Sequence, residues 1–298
     1  MGFSLATFNV KDLLLPAIEA KLDWIAGKIA QSDADVLGLQ EIGPPALLDA
    51  VLDRLPERGG YGDPIVGTAD ARGIRCALVS RLPLALREVH TAEALPFPTF
   101  HVADPQPFGA RIPLRRGIVH GRVDAPGFGP VDVLVAHFKS SRPVGLRDGT
   151  GREQAASGAR ARGEGEVRGL VWRTAEALFV RGLADDVLRD RGAGAFVAVV
   201  GDLNDEPGST AVRVVRGDGP EELLDCAERI PREARFSTLH DGRRTQIDHL
   251  LATASLHARL QHAAFLNTDL RQHDPVVPGS TVAPTIDSDH APLVARFG

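Results

Sequence analysis

Ala195-Phe196-Val197-Ala198-Val199-Val200-Gly201-Asp202-Leu203-Asn204-Asp205 is an apolar run of strand length that stops abruptly at polar residues. Six apolar residues followed by glycine read as a buried strand. Alternation puts Asp202 and Asn204 on one side, so both can face a single ligand while Asp205 points elsewhere. Taken alone, the same polar residues also fit an Asx-rich turn capping the next helix.

Working outward, the same abrupt ending recurs along the chain. Phe3 to Phe8 alternates as a strand and ends at Asn9, and Asp35 to Gln40 runs into Glu41. Val131, Val133 and Val135 share a face with His137, which continues their line at the strand end. Asp248 lies just inside the apolar run Ile247 to Ala252, and Asp289-His290 immediately precede Leu293 to Phe297. Ionisable groups at the ends of buried strands are costly unless paired or bound to a metal. One such ending is ordinary; their recurrence implies a shared rim.

Between the strands, Ile18, Leu22, Ile25 and Ile29 mark an amphipathic helix. A second helix follows Pro44 and Pro45, with Leu47, Leu48, Val51, Leu52 and Leu55 inward. Short apolar runs broken by Gly and Pro from 64 to 137 read as a strand meander. Residues 140–166 lack a period and read as a long solvated loop; its arginines (Arg142, Arg147, Arg152, Arg160, Arg162) also fit a substrate-contacting arm. Val167 to Leu188 reads as a long helix. With no repeat and no linker-like break, residues 1–298 are expected to form one mixed α/β domain, two sheets packed together with helices outside.

Composition sets limits on partners. The 298 residues are 43% hydrophobic with net charge −5 and pI near 6.1, so no global basic field attracts nucleic acid. A local positive cleft is compatible with that balance, although the single tyrosine, Tyr61, offers little for base stacking. Cys76 and Cys226 match no metal spacing and read as reduced thiols, with one disulfide as the alternative. No segment has the length and apolar purity of a membrane span, and the N-terminus lacks a basic-then-apolar leader. A cytoplasmic protein with no obligate protein partner is the expectation.

The rim residues suit one chemistry. Mg²⁺ takes oxygen ligands, usually one or two carboxylates, a need that Glu41 with Asp289 meets and that Asn9 supplements with a neutral oxygen. Mn²⁺ and Ca²⁺ accept the same donors. His137 and His290 supply an acid/base pair, one activating water and the other protonating or neutralising the leaving oxygen. A cation polarising a phosphoryl oxygen removes the need for a covalent nucleophile. Asp248 and His249 are strand neighbours facing opposite ways. Asp248 is the better site residue, since an aspartate can orient His290, and His249 reads as a core histidine. His90, His101, His120 and His257 read as surface or structural.

Phe8-Asn9, Leu39-Gln40-Glu41, His137-Phe138-Lys139-Ser140, Gly201-Asp202-Leu203-Asn204-Asp205, Ile247-Asp248-His249 and Ser288-Asp289-His290 together resemble the endonuclease/exonuclease/phosphatase (DNase I-like) superfamily. Each motif is weak alone, but six fall in the right order along nearly the whole chain. The resemblance implies a four-layer α/β/β/α sandwich of two mixed β-sheets with the site at one end. It makes Glu41 the principal Mg²⁺ ligand, supported by Asn9 and Asp289. It assigns water and phosphate to Asp202 and Asn204, a base or phosphate contact to His290 backed by Asp248, and a second catalytic histidine to His137. A histidine at 137 disfavours the exonuclease III-like branch. Where DNase I-like nucleases supply an acid to that histidine, this chain has Arg75, which with Arg116 and Lys139 is a candidate substrate contact. The expected function is a metal-dependent phosphodiesterase or endonuclease. The alternatives are a hydrolase of a small or lipid phosphoester and a non-catalytic binding protein on the same fold.

Overall fold

The structure is a computed structural model that describes residues 2–98, 112–147, 153–154, 157–240, 242–273 and 286–298. One sheet contains β1 (Phe3–Leu13), β2 (Val36–Ile42), β3 (Ile65–Val66), β4 (Arg75–Ser80), β15 (Leu260–Phe265) and β16 (Leu293–Phe297), in the order β15-β16-β1-β2-β4-β3. The other contains β5 (Leu84–His90), β6 (Ile118–Ala125), β7 (Gly129–His137), β10 (Phe196–Asp202), β11 (Leu223–Asp225) and β14 (Asp248–Thr253), in the order β11-β14-β10-β7-β6-β5. Two short ribbons, β8 (Leu146–Arg147) with β9 (Glu153–Gln154) and β12 (Thr238–His240) with β13 (Arg243–Thr245), lie outside them. Both large sheets are mixed, since β1 runs parallel to β2 but antiparallel to β16, and β10 runs parallel to β7 but antiparallel to β14.

Three buried layers follow from strand alternation. Leu5, Val36, Leu78, Val133, Val135, Ala198, Val200 and Leu250 pack between the sheets. On the far side of the first sheet, Phe8, Leu37, Leu39 and Val79 meet Leu22, Ile25 and Ile29 of α1 (Glu19–Ser32) and Leu48 and Val51 of α2 (Pro45–Leu52). Behind the second sheet, Leu134, Val197, Val199 and Leu251 meet Ala177, Val180 and Ala184 of α3 (Gly158–Arg191) and Val212 of α4 (Thr210–Arg216). The result is the expected four-layer sandwich, helices outside two sheets. Cys76 and Cys226 are both buried and free, and burial pushes the Cys76 thiol up to about 12. No helix among the described residues is long and apolar enough to cross a membrane.

The long loop expected at 140–166 is shorter than the sequence indicated. Helix α3 begins at Gly158, nine residues before Val167. Its first two turns touch the protein through Gly165, whose carbonyl accepts from Val144 N at 2.9 Å, so no bulky apolar residue marks the buried side. Arg160 and Arg162 are exposed on that first stretch. Arg152 lies outside the described residues, as does the side chain of Arg147, and so do His101 and most of the 91–112 segment.

Candidate active site

The two sheets end together at one rim, and register fixes what they present there. Asp202 of β10 is paired with His137 of β7 on one side and with Asp248 of β14 on the other. Each continues an inter-sheet face: Val133 and Val135 into His137, Ala198 and Val200 into Asp202, Ala252 and Leu250 back into Asp248. Three polar side chains therefore stand in a row where the apolar core stops. Gly201 is required beside them, because its φ is +143° and a Cβ there would lie 1.9 Å from the Ala136 carbonyl oxygen.

The facing sheet contributes Asn9 and Glu41 through irregular backbone. Between the Asn9–Gln40 and Leu13–Ile42 pairs, three residues of β1 oppose one of β2, and β2 is bulged again against β4. Lys11, Asp12 and Glu41 all adopt positive φ in this stretch. Such bulges re-aim side chains. Strain in non-glycine residues persists where the surroundings over-determine it, commonly at functional sites. Here the bulge brings Glu41 within reach of the opposite sheet, with Oε1 3.9 Å from His137 Nε2 and 3.5 Å from Asn9 Nδ2. Oε2 accepts from the Asp12 N–H at 2.7 Å. Burial, reinforced by the charge of Asp12, raises the Glu41 carboxyl above its usual range.

Asp202 sits at the centre. Its Oδ1 accepts from Asn204 N at 2.9 Å, the Asx turn that the sequence allowed, while Oδ2 meets Asn9 Nδ2 at 3.0 Å, Asn204 Nδ2 at 3.2 Å and His137 Nε2 at 3.4 Å. One carboxylate thus forms the turn and faces the site. Burial pushes Asp202 up to about 7, with Asp248 adding to the rise and His290 opposing it. His290, just before β16, places Nδ1 2.7 Å from Asp248 Oδ2 and Nε2 4.0 Å from Asp202 Oδ2. Ser288 Oγ fixes this approach by donating to the Asn9 carbonyl at 2.7 Å and accepting from His290 N at 3.0 Å. Burial disfavours charge on His290, but the Asp248 and Asp202 charges outweigh it and push the imidazole up to about 10. His249 points away, to the Asp205 carbonyl at 2.9 Å, as a core histidine.

Several expectations need revision. His137 is buried and its Nδ1 has no partner among the described residues, and burial together with Arg116 holds it well below the usual histidine range, which favours the neutral imidazole. His137 and His290 thus stand at the rim in different electrostatic settings. Arg116 is no free phosphate contact: its guanidinium donates to the His137 and Phe138 carbonyls at 3.0 and 2.7 Å and to Asp70 at 3.1 Å. The Lys139 ammonium is likewise bound to Ser140 and to the Arg142 carbonyl. Both cations brace the segment after His137. Arg75 is half-buried and reaches the Gly73 carbonyl at 3.4 Å. Asn9 turns its amide nitrogen, not its oxygen, to Glu41 and Asp202, since Oδ1 accepts from Lys11 N at 2.9 Å.

At the rim, two groups among the described residues could hold a cation. Donor atoms of Asp202, Asp248 and His290 lie within 4.8 Å of one another, but His290 Nδ1 and Asp248 Oδ2 are already engaged with each other at 2.7 Å. Glu41 fits better, as a half-buried carboxylate with one strong hydrogen bond and an oxygen turned to the rim. Asp289 stands by with Oδ2 on Lys11 Nζ at 2.8 Å and 34% of its side chain exposed. Burial opposes its charge, but His290 and Lys11 hold it below the usual carboxylate range. Lys11 and Arg72, which joins Asp12 and lies 4.0 Å from Glu41, were not foreseen. In sequence they look like any surface cation.

A sequence model of the endonuclease/exonuclease/phosphatase family matches residues 6–290. Among curated proteins none matches the sequence. Solved structures share the fold at low identity. Truncated TDP2 of Caenorhabditis elegans is 16% identical with a TM-score of 0.63, over 99% of this chain and 97% of that one. An AP endonuclease from Archaeoglobus fulgidus is 16% identical with a TM-score of 0.58, over 99% of both chains. The human Nocturnin catalytic domain is 17% identical with a TM-score of 0.60, over 100% of this chain and 94% of that one.

Proposed function

The chain belongs to the endonuclease/exonuclease/phosphatase family, and from that premise we propose that it is a divalent-metal-dependent phosphodiester hydrolase. The observation that carries this reading is the row His137–Asp202–Asp248 at the end of one sheet, closed from the other by Glu41 and His290. Glu41 would hold Mg²⁺ or Mn²⁺, with Asp289 beside it and Asn9 as a brace. When bound, the cation would supply positive charge to a phosphoryl oxygen and so favour attack by water.

The protein groups divide the remaining work by charge. Asp202, pushed up to about 7, suits a base that orients water and takes its proton, with Asn204 fixing its rotamer. His290, kept protonated by Asp248, would meet the negative phosphoryl oxygens as a charged donor. Neutral His137 would donate a hydrogen bond rather than a proton. An endonuclease is among the similar structures, which makes nucleic acid the first polymeric substrate to try.

The test is hydrolysis of bis-p-nitrophenyl phosphate and p-nitrophenyl phosphate with EDTA, Mg²⁺ or Mn²⁺, alongside plasmid and single-stranded DNA. Metal-dependent cleavage of the diester over the monoester supports the proposal, and nicking of plasmid would make it a nuclease. Diester cleavage undiminished by EDTA would overturn it.

A further inference from the structure

The second sheet carries another cluster on its opposite face. Glu88 and His90 lie two apart on the edge strand β5, and His120 on β6 is paired in register with Glu88, so all three project from one side. That side is the outer one, since His120 is paired with Leu134, which packs under α3. It is the reverse of the face that carries His137. Distances among the donor atoms are 3.3 Å for His90 Nε2 to His120 Nδ1, 3.5 Å for Glu88 Oε2 to His90 Nε2, and 3.9 Å for Glu88 Oε2 to His120 Nδ1. Ligands about 2.0–2.1 Å from a tetrahedral zinc ion lie about 3.3–3.4 Å from one another, so the three atoms already approach that spacing.

What lies behind His120 distinguishes the cluster from a chance meeting of side chains. His120 Nε2 is 2.8 Å from Oδ1 of Asp132, a carboxylate with no exposure, which is also bound by Arg122 at 2.9 Å and by Arg191. A carboxylate on one ring nitrogen fixes the tautomer and leaves the other nitrogen a lone pair, the arrangement that commonly supports a metal-bound histidine. His120 Nδ1 is thereby aimed at His90 and Glu88.

We propose that Glu88, His90 and His120 form a zinc-binding site on the outer face of the second sheet, separate from the hydrolase site. Two imidazoles and a carboxylate suit Zn²⁺, and the exposed side of Glu88 leaves a fourth position for water. Bound metal would tie the edge strand β5 to β6 and so to the interior of the sheet.

The experiment is titration of chelator-treated, dialysed full-length protein with Zn²⁺, counting bound metal by elemental analysis, and with Co²⁺, following its visible absorption. Wild type, His90→Ala, Glu88→Ala and Glu41→Ala are compared, with circular dichroism confirming the fold. His90 and Glu88 are partly exposed on an edge strand, so neither replacement removes core packing. Expected is a zinc equivalent that survives Glu41→Ala and is lost, or bound roughly tenfold or more weakly, in His90→Ala and Glu88→Ala. The Co²⁺ bands of that equivalent should disappear in the same two variants. Zinc bound equally by wild type and His90→Ala would overturn the proposal and leave the histidines as a hydrogen-bonded pair. Zinc lost only with Glu41→Ala would place it in the hydrolase site and overturn it too.

Discussion

Replacing Glu176 by glutamine should shift the protein's stability, relative to wild type, favourably as pH rises from acid to alkaline. Glu176 reaches from α3 to the segment after His137, where Oε2 accepts from Lys139 N at 2.6 Å and Oε1 is buried without a partner among the described residues. Burial pushes its carboxyl up from 4.5 to about 7, although the Arg116 charge pulls the other way. At about 1.4 kcal/mol per pH unit, that difference corresponds to about 3 kcal/mol lost when the folded protein must ionise this group. The folded state binds the proton more tightly than the unfolded chain. The stability this confers is therefore fully present below pH 4.5 and is lost as pH rises through about 7.

Glutamine keeps the acceptor for Lys139 N and removes the ionisation. Its amide N–H₂ takes the place of Oε1 and leaves a buried donor to satisfy, at a cost of about 1–3 kcal/mol if nothing accepts from it. The pH-dependent part of the difference is free of that offset. Urea denaturation followed by circular dichroism at pH 4.5 and pH 8 measures both, with m-values checked for equality. Glu176→Gln should gain about 2–3 kcal/mol relative to wild type between the two pH values. A difference that does not change with pH would refute the reasoning, because it would mean that Glu176 is not penalised when charged.

Three further outcomes follow from the rim. Glu41→Ala should lower metal-dependent turnover of bis-p-nitrophenyl phosphate by about 100-fold or more with an unchanged circular dichroism spectrum, consistent with losing the carboxylate that would hold the charge-stabilising cation; near wild-type activity would remove Glu41 from the site. Asp248→Asn should bring the His290 imidazole down from about 10 towards the ordinary 6.5, followed by NMR titration of its ring protons; it should also cost about 3–5 kcal/mol of stability by breaking a buried pair. Arg116→Met removes donors to the His137 and Phe138 carbonyls and to Asp70, and should lower the melting temperature more than Arg75→Met, whose guanidinium reaches the Gly73 carbonyl at 3.4 Å.

The sandwich was legible because each central strand states its own end. The valines at 131, 133 and 135 and the His137 that follows them occupy one face, so a local alternation fixes both the core and the polar residue that stops it. The same rule located Asp202 and Asp248, and the Asp248–His290 contact followed once Asp289-His290 was seen before the last strand. It failed where geometry depends on backbone carbonyls, which have no letter in the sequence. Arg116 and Lys139 looked like phosphate contacts because cations beside a catalytic histidine have that appearance, yet main-chain oxygens hold both. The bulges at Lys11, Asp12 and Glu41 were equally hidden, since none is a glycine that would have signalled positive φ. Without them Glu41 would follow Leu37 and Leu39 onto the helix-covered face, so the reach of Glu41 across the rim depends on a strained backbone that alternation alone argues against. Edge strand β5 lies within the expected meander but is not singled out, because its alternation is weak with solvent along one side; Glu88 carries no signal in sequence and His90 reads as surface or structural. Register with β6 turns those two into neighbours of His120, and only a partner strand supplies register.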